Sequence, residues 1–165
     1  MAWRFMEPDD LAQVVAIAEV VHPDHPEDRA VLAERRDLYP PGCLVLEADG
    51  VGSALGGYAL SHPWTFAAPP PLNGLVGALP AAPDTYYVHD VALLPSVRGR
   101  GEAAVIVAGL VARARAEGLD NLSLVAIGNA HGFWARHGFQ PHELPGLRDP
   151  AKGYGETAAF MVLRL

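Results

Sequence analysis

The segment that most constrains this chain runs over residues 84–117. A strand pattern over 84–94 feeds Arg98-Gly-Arg-Gly, which opens a helical pattern reaching Glu117, with Gly118 placed as its stop. A strand that enters a helix through a glycine-rich turn aims several unpaired backbone N–H groups at one spot, and the helix dipole adds to their pull on an anion. Gly99 and Gly101 let a ligand reach the backbone with no Cβ in the way, and Arg98 and Arg100 add positive charge. The turn is therefore a candidate cradle for a diphosphate, although a glycine-rich turn taken alone is often only a tight connection. It is not a P-loop, because no Gly-Lys-Ser/Thr follows. It is not a dinucleotide fingerprint either, because Ala104 stands where the last glycine belongs.

Around this segment the pattern alternates between strand and helix. Residues 3–5 read as a short opening strand, and Glu7-Pro-Asp-Asp supplies capping and negative charge for a helix over 8–20. Leu11, Val14, Val15 and Ala18 fall at helical spacing, and His22-Pro-Asp-His-Pro stops the helix. A second helix fits 27–37. Pro40-Pro-Gly turns into a strand over 43–47, and Gly50 turns into another over 53–61, giving a hairpin. Residues 63–83 hold six prolines, and a loop of that length in a compact domain is either functional or a mobile surface insertion. A buried strand over 122–127, a short helix over 131–137, a strand from Phe139 and a last strand over 157–163 complete the order β-α-α-β-β-β-α-β-α-β-β. This is a mixed α/β chain, and 165 residues fit one domain.

Composition narrows the partners. Nineteen acids against twelve bases give a net charge of −7, which argues against a nucleic-acid binder needing a basic face. Residues 1–50 hold 11 acids and 4 bases, and residues 51–165 hold 8 of each, so the whole excess lies in the first third. The single cysteine, Cys43, excludes an internal disulfide and a multi-cysteine zinc site, and reads as a small core residue. No apolar leader opens the chain and no apolar run of about 18 residues occurs, so a cytoplasmic protein that does not enter the membrane is expected. His22, Asp24 and His25 have the look of a metal site, but Pro23 and Pro26 make this a helix-terminating turn, and no metal is expected.

Arg98-x-x-Gly101-x-Ala103, following Val91-Ala-Leu-Leu-Pro95, resembles the acyl-CoA signature of the GNAT acetyltransferases. His131-Gly-Phe-Trp-Ala-Arg-His-Gly138-Phe139 is similar to the family's next motif, a short helix ending in Gly-Phe, and the element order matches over nearly the whole chain. The resemblance implies a mixed central sheet splayed between its fourth and fifth strands, flanked by about four helices, with acetyl-CoA bound in the V. The backbone of Val91, Ala92 and Leu93 would then pair with the peptide-like pantetheine arm as an added strand. The pyrophosphate would lie on the amides of Arg98, Gly99, Arg100, Gly101, Glu102 and Ala103, where donation does not depend on side-chain identity. Asn129 takes the place of the family's CoA-contacting asparagine but lies closer to the Gly-Phe pair. Trp134 stands where many members have a tyrosine that protonates the leaving thiolate, and an indole N–H is no usable acid.

Direct acetyl transfer needs a base to make the amine neutral. His89 and Asp90 are the candidates, just before the cofactor-pairing segment, and resemblance to the arylalkylamine-type members implies His89 as base. A core histidine satisfied by a backbone carbonyl is the alternative. Adjacent residues of a regular strand face opposite ways, which turns only one of the pair toward the acetyl group; a bulge changes that. Tyr58, His62, Trp64 and Phe66 lead into the proline-rich loop and suit either an acceptor pocket or ordinary packing.

The expected function is acetyl-CoA-dependent N-acetylation of a small primary amine, cationic by the charge argument, since the acidic first third and the long loop wall the acceptor side in this fold. Acetylation of a protein amino terminus or lysine, and a non-catalytic acyl-CoA sensor, are the alternatives. A homodimer is left open.

Overall fold

The computed structural model describes residues 1–50, 52 and 54–165. Its elements follow the order β1 (Ala2–Phe5), α1 (Leu11–Val21), α2 (Arg29–Leu38), β2 (Cys43–Glu47), β3 (Leu55–Trp64), β4 (Thr85–Leu93), α3 (Glu102–Ala116), β5 (Asn121–Ala126), α4 (His131–Arg136), β6 (Gln140–Pro141) and β7 (Ala159–Arg164). One seven-stranded sheet runs β1-β2-β3-β4-β5-β7-β6, and every neighbouring pair is antiparallel except β4 and β5.

Several boundaries differ from the sequence reading for physical reasons. Pro8–Asp10 forms a 3₁₀ turn before α1, with Asp10 closing a capping box on Glu7. The helix expected from Arg98 begins at Glu102. Gly99 and Gly101 hold φ values of +74° and +85°, a left-handed conformation that keeps this stretch out of the helix. β3 continues through Pro63 to Trp64, beyond the expected Ser61. β2 pairs with β3 only as far as Leu60, so Pro63 occupies an edge position where its missing N–H is tolerated. Ser53, the expected start of that strand, lies outside the described residues. The strand expected from Phe139 shrinks to the two-residue edge strand β6.

The helices cover the sheet on both faces. On one, Leu11, Val14 and Ile17 of α1 and Leu32 of α2 pack on Val45, Tyr58 and Leu60. On the other, Ile106, Val107 and Leu110 of α3 pack on Tyr86, Val88, Leu122 and Leu124. Each such buried side chain stabilises the fold by about 1.5–3 kcal/mol. Beside α1 and α2, no described helix covers Phe160 and Val162 of β7. Phe66 and Leu72 from the proline-rich loop and Leu147 and Tyr154 from the β6–β7 connection take that place.

Two features of β4 create the site. First, β4 and β5 pair only at Tyr86↔Leu122, Tyr87↔Ser123 and Val88↔Leu124, after which the strands part and the sheet splays. Secondly, β4 bulges at that point: Ser61 faces Val88 and Leu60 faces Asp90, leaving His89 as the extra residue.

Candidate active site

The parted strands open onto a cleft of about 990 Å³ bounded by the α1–α2 connection, the bulge of β4, the turn before α3, the end of β5 and α4. Val91 and Leu93 line it, while Ala92 points to the opposite face and is buried beneath α1. Arg98, Gly99, Gly101, Glu102 and Ala103 form one wall; Arg100 is exposed outside it. Asn129 and Trp134 form the facing wall. Trp134 is otherwise packed edge-on against Phe133 and Phe139 in the core.

The cradle end fits an elongated anion with a peptide-like arm. Past Val88 the side of β4 toward β5 has no strand partner, so its backbone can receive an extended chain. The first amides of α3 carry no intrahelical bond, and no atom lies within 4 Å of where a Cβ would stand on Gly99 or Gly101. Arg98 Nε donates to Leu93 O at 2.9 Å, tying the turn back to the end of β4. Glu102, whose negative charge would oppose an anion, has its carboxylate engaged by Trp3 Nε1 at 2.9 Å.

At the opposite end the bulge decides which side chains meet the α1–α2 connection. It sends both His89 and Asp90 to the side of the sheet that carries α1 and α2, where a regular strand would send only one. The α1–α2 connection then supplies a partner to each. His89 Nε2 lies 2.8 Å from Glu27 Oε1, in a pair whose side chains are 2 % and 8 % exposed, and His89 Nδ1 is buried with no hydrogen-bond partner. Asp90 Oδ1 lies 2.7 Å from His22 Nε2, and Asp90 Oδ2 accepts from the Tyr58 hydroxyl.

Burial by itself would raise the carboxyls of Glu27 and Asp90, but their partners outweigh it. His89 holds Glu27, and His22 with Tyr58 holds Asp90, below the usual carboxylate range. Burial likewise disfavours a charged His22, yet the charge and hydrogen bond of Asp90 hold its imidazole above the ordinary value. Tyr58 is pushed well up by burial and by Asp90, so it stays a neutral donor.

His22 and Glu27 are the members of this arrangement that sequence reasoning missed. His22 reads there as part of a helix-terminating turn and Glu27 as a helix start; their partners lie 68 and 62 residues away, where no spacing signal reaches. His25 Nε2 donates instead to Tyr154 O at 3.2 Å, joining the same connection to the β6–β7 segment. Among the described residues no group of three or more His, Cys, Asp or Glu side chains is placed to hold a metal ion. Tyr58, His62, Trp64 and Phe66 do not line the cleft. Tyr58 serves Asp90, His62 packs on Trp64 and Tyr87, and Phe66 packs on His142 and Phe160. Cys43 is fully buried, and burial pushes its thiol up to about 12, which leaves it inert. No described helix is long and apolar enough to cross a membrane.

Comparison with known proteins places these features in a family. A family model described as "Acetyltransferase (GNAT) family" matches residues 10–139. Among solved structures, a "GphF GNAT-like decarboxylase in complex with isobutyryl-CoA" is similar with a TM-score of 0.82 at 19 % identity, covering 99 % of each chain. The loading GNATL domain of CurA from Lyngbya majuscula gives 0.80 at 13 % identity, covering 99 % of this chain and 96 % of that one. Rv2747 from Mycobacterium tuberculosis, in complex with CoA and NLQ, gives 0.72 at 17 % identity, covering 100 % and 99 %. A search of curated proteins by sequence finds no match. The family match spans most of the chain, and the chain belongs to the GNAT acetyltransferase family.

Proposed function

We propose that this member of the GNAT family transfers an acyl group, acetyl by preference, from acyl-CoA to the primary amine of a small cationic molecule. The observation that carries the reading is the pair formed by His89 and Glu27 on the bulge. A ring nitrogen facing a carboxylate carries its hydrogen there, so Nε2 donates to Glu27 and Nδ1 is left as a lone-pair acceptor with no other partner. A general base uses such a lone pair to take the proton of an ammonium before the amine attacks, and because Nδ1 is buried the proton reaches it through a water or a small shift of the ring. Asp90 is the weaker base of the two sequence candidates, because His22 and Tyr58 already occupy both of its oxygens. Acyl-CoA, when bound, supplies the activated thioester. The chain's own parts bind its arm along Val91 and Leu93 and its phosphates on the amides of the turn before α3.

The charge distribution supports a cationic acceptor. Four arginines against Glu102 give residues 98–115 a net +3, leaving −10 on the rest of a chain whose total is −7. Asp24, Glu27 and Asp90 line the cleft end away from the cradle together with His22, His25 and His89; His22 offsets Asp90, so Asp24 and Glu27 carry the negative charge there. A field of that sign draws in cations and repels carboxylates. The proline-rich loop lies over this end through Leu72, which favours a small molecule over a polypeptide.

The test is thiol release from a panel of acyl-CoAs with small amines and with amino-terminal and lysine peptides. Turnover is expected with acetyl-CoA and small cationic amines, falling about 10²–10⁴-fold in His89→Gln. Preference for peptides instead makes the protein a polypeptide acetyltransferase. Calorimetric binding with no thiol from any acceptor makes it an acyl-CoA sensor. Acceptor-independent loss of carbon dioxide from a carboxylated acyl-CoA makes it a decarboxylase like GphF.

A further inference from the structure

The proline-rich loop does more than cover the cleft, because one of its residues is joined to the base. Asn73 adopts φ +58°, a left-handed conformation that asparagine tolerates better than most side chains. From that position its backbone amide donates to Glu27 Oε2 at 3.0 Å, and its side-chain oxygen accepts from the amide of Asp28 at 2.7 Å. Asp28 is the residue that caps α2. Glu27 therefore has its two oxygens divided between the loop and His89: Oε2 takes the Asn73 amide and Oε1 faces His89 Nε2 at 2.8 Å. Neither half of this linkage is redundant. A carboxylate free to rotate would not hold one face of an imidazole ring, and the Glu27 side chain is only 8 % exposed.

The rest of the segment is fastened to α2 in the same direction. Glu34 accepts from the amides of Val76 and Gly77 at 2.8 and 3.0 Å, and the buried guanidinium of Arg35 donates to Gly74 O at 2.9 Å. These bonds go to backbone atoms, so they seat residues 74–77 whatever their side chains are. Asn73 differs in using its own side chain and in bonding to the carboxylate that orients the base. Leu72, its neighbour, lines the cleft, and its amide donates to Lys152 O at 2.8 Å. One short stretch of loop thus forms a wall of the acceptor end and holds the partner of His89.

We infer that Asn73 is a positioning residue that, through Glu27, fixes the tautomer and orientation of His89, so that seating of the loop and readiness of the base are one event. This rests on the reading of His89 as base. No bond is made or broken by Asn73. Its amide keeps Glu27 Oε1 turned to Nε2, which keeps the hydrogen on Nε2 and the lone pair on Nδ1.

The test uses ¹⁵N NMR of the histidine rings in the ligand-free protein together with the pH dependence of kcat. In the unaltered protein His89 should show one tautomer, protonated at Nε2. Asn73→Ala, which loses the side-chain oxygen and disfavours the left-handed backbone, should give a mixture of tautomers. It should also lower kcat about tenfold, part of the 10²–10⁴ a placed base contributes, with KM for acyl-CoA unchanged. Asn73→Gly keeps the backbone conformation and removes only the oxygen, so it folds if Asn73→Ala does not; it should shift the same ratio less. Glu27→Gln should reproduce the Asn73→Ala spectrum. If His89→Gln loses activity while both Asn73 variants keep the single tautomer and the parental pH profile, the positioning role is wrong and the base reading stands. If His89→Gln turns over normally, the base reading falls, and the tautomer ratio still decides whether Asn73 orients the ring.

Discussion

The hydroxyl of Thr85 donates to the side-chain oxygen of Asn121 at 2.6 Å, joining β4 to β5 at the closed end of the split sheet. Ser123 completes the cluster by donating to Thr85 Oγ1 at 2.7 Å, and Asn121 Nδ2 donates to Asp84 O at 2.8 Å. All three side chains are buried, and the strands stay paired from this cluster only as far as Val88↔Leu124 before they part. The cluster fixes where the strands stop parting. Thr85→Val keeps the shape but leaves Asn121 Oδ1 and the Ser123 hydroxyl short of a partner, which should destabilise the fold by about 1–3 kcal/mol. Urea unfolding measures this, and a loss below about 0.5 kcal/mol would show that the cluster is not what joins the strands.

The ion pair of His22 and Asp90 predicts a pH-dependent stability. His22 is held above its ordinary value, so its contribution is complete below the unfolded pKa of about 6.5 and fades as pH rises through the folded one. Asp90 is held below its ordinary value, so its contribution is complete above about 3.9 and fades as pH falls through its folded one. The two overlap near pH 5.5. His22→Gln should cost about 2 kcal/mol there and clearly less at pH 9, by urea unfolding at both values. Equal losses at the two pH values would mean that the pair is not ionic.

Gly101 caps α3 with φ +85°, and nothing occupies the space its Cβ would fill. Gly101→Ala therefore carries a backbone cost alone, about 1–2 kcal/mol. If that strain shifts the cradle amides, the Kd for CoA should rise about fivefold by calorimetry. A lowered Tm with an unchanged Kd would detach these amides from ligand binding.

Attraction of a cation to the acidic end of the cleft is screened by salt. Raising sodium chloride from about 20 to 300 mM should raise KM for a diamine about threefold with kcat unchanged, and should leave KM for an amine bearing a carboxylate unchanged or lower. The opposite ranking would move the acidic groups out of substrate recognition.

Much of the frame is legible in the sequence because its signals are local. The spacing of Leu11 and Val14, the apolar run before Asn129 and the glycines at 99 and 101 each report on a few neighbouring residues, and the corresponding elements form close to where those signals fall. The element ends moved where longer-range pairing outvoted local preference. Pro63 entered β3 because β2 ends before it, and the strand after Phe139 is short because it pairs with β7 at only two positions.

The candidate site was legible only in part. The glycine turn beside the cleft is contiguous in sequence, so residues 98–103 show the turn directly. The cluster at the bulge is not contiguous. His89 is visible as a candidate, but its bulge depends on how β3 meets β4, and its partner Glu27 and that partner's anchor Asn73 come from separate segments of the chain.

By itself, then, the sequence determined that this chain is a mixed α/β protein with a glycine turn between a strand and a helix, since periodicity and glycine turns act over a few residues. Only the tertiary structure decided that β4 bulges, that both His89 and Asp90 turn toward the α1–α2 connection, and that Glu27 and His22 meet them. Those outcomes depend on strand register and on side chains more than 60 residues apart, and a hydrogen bond at 2.8 Å exists only once the whole sheet has fixed both ends.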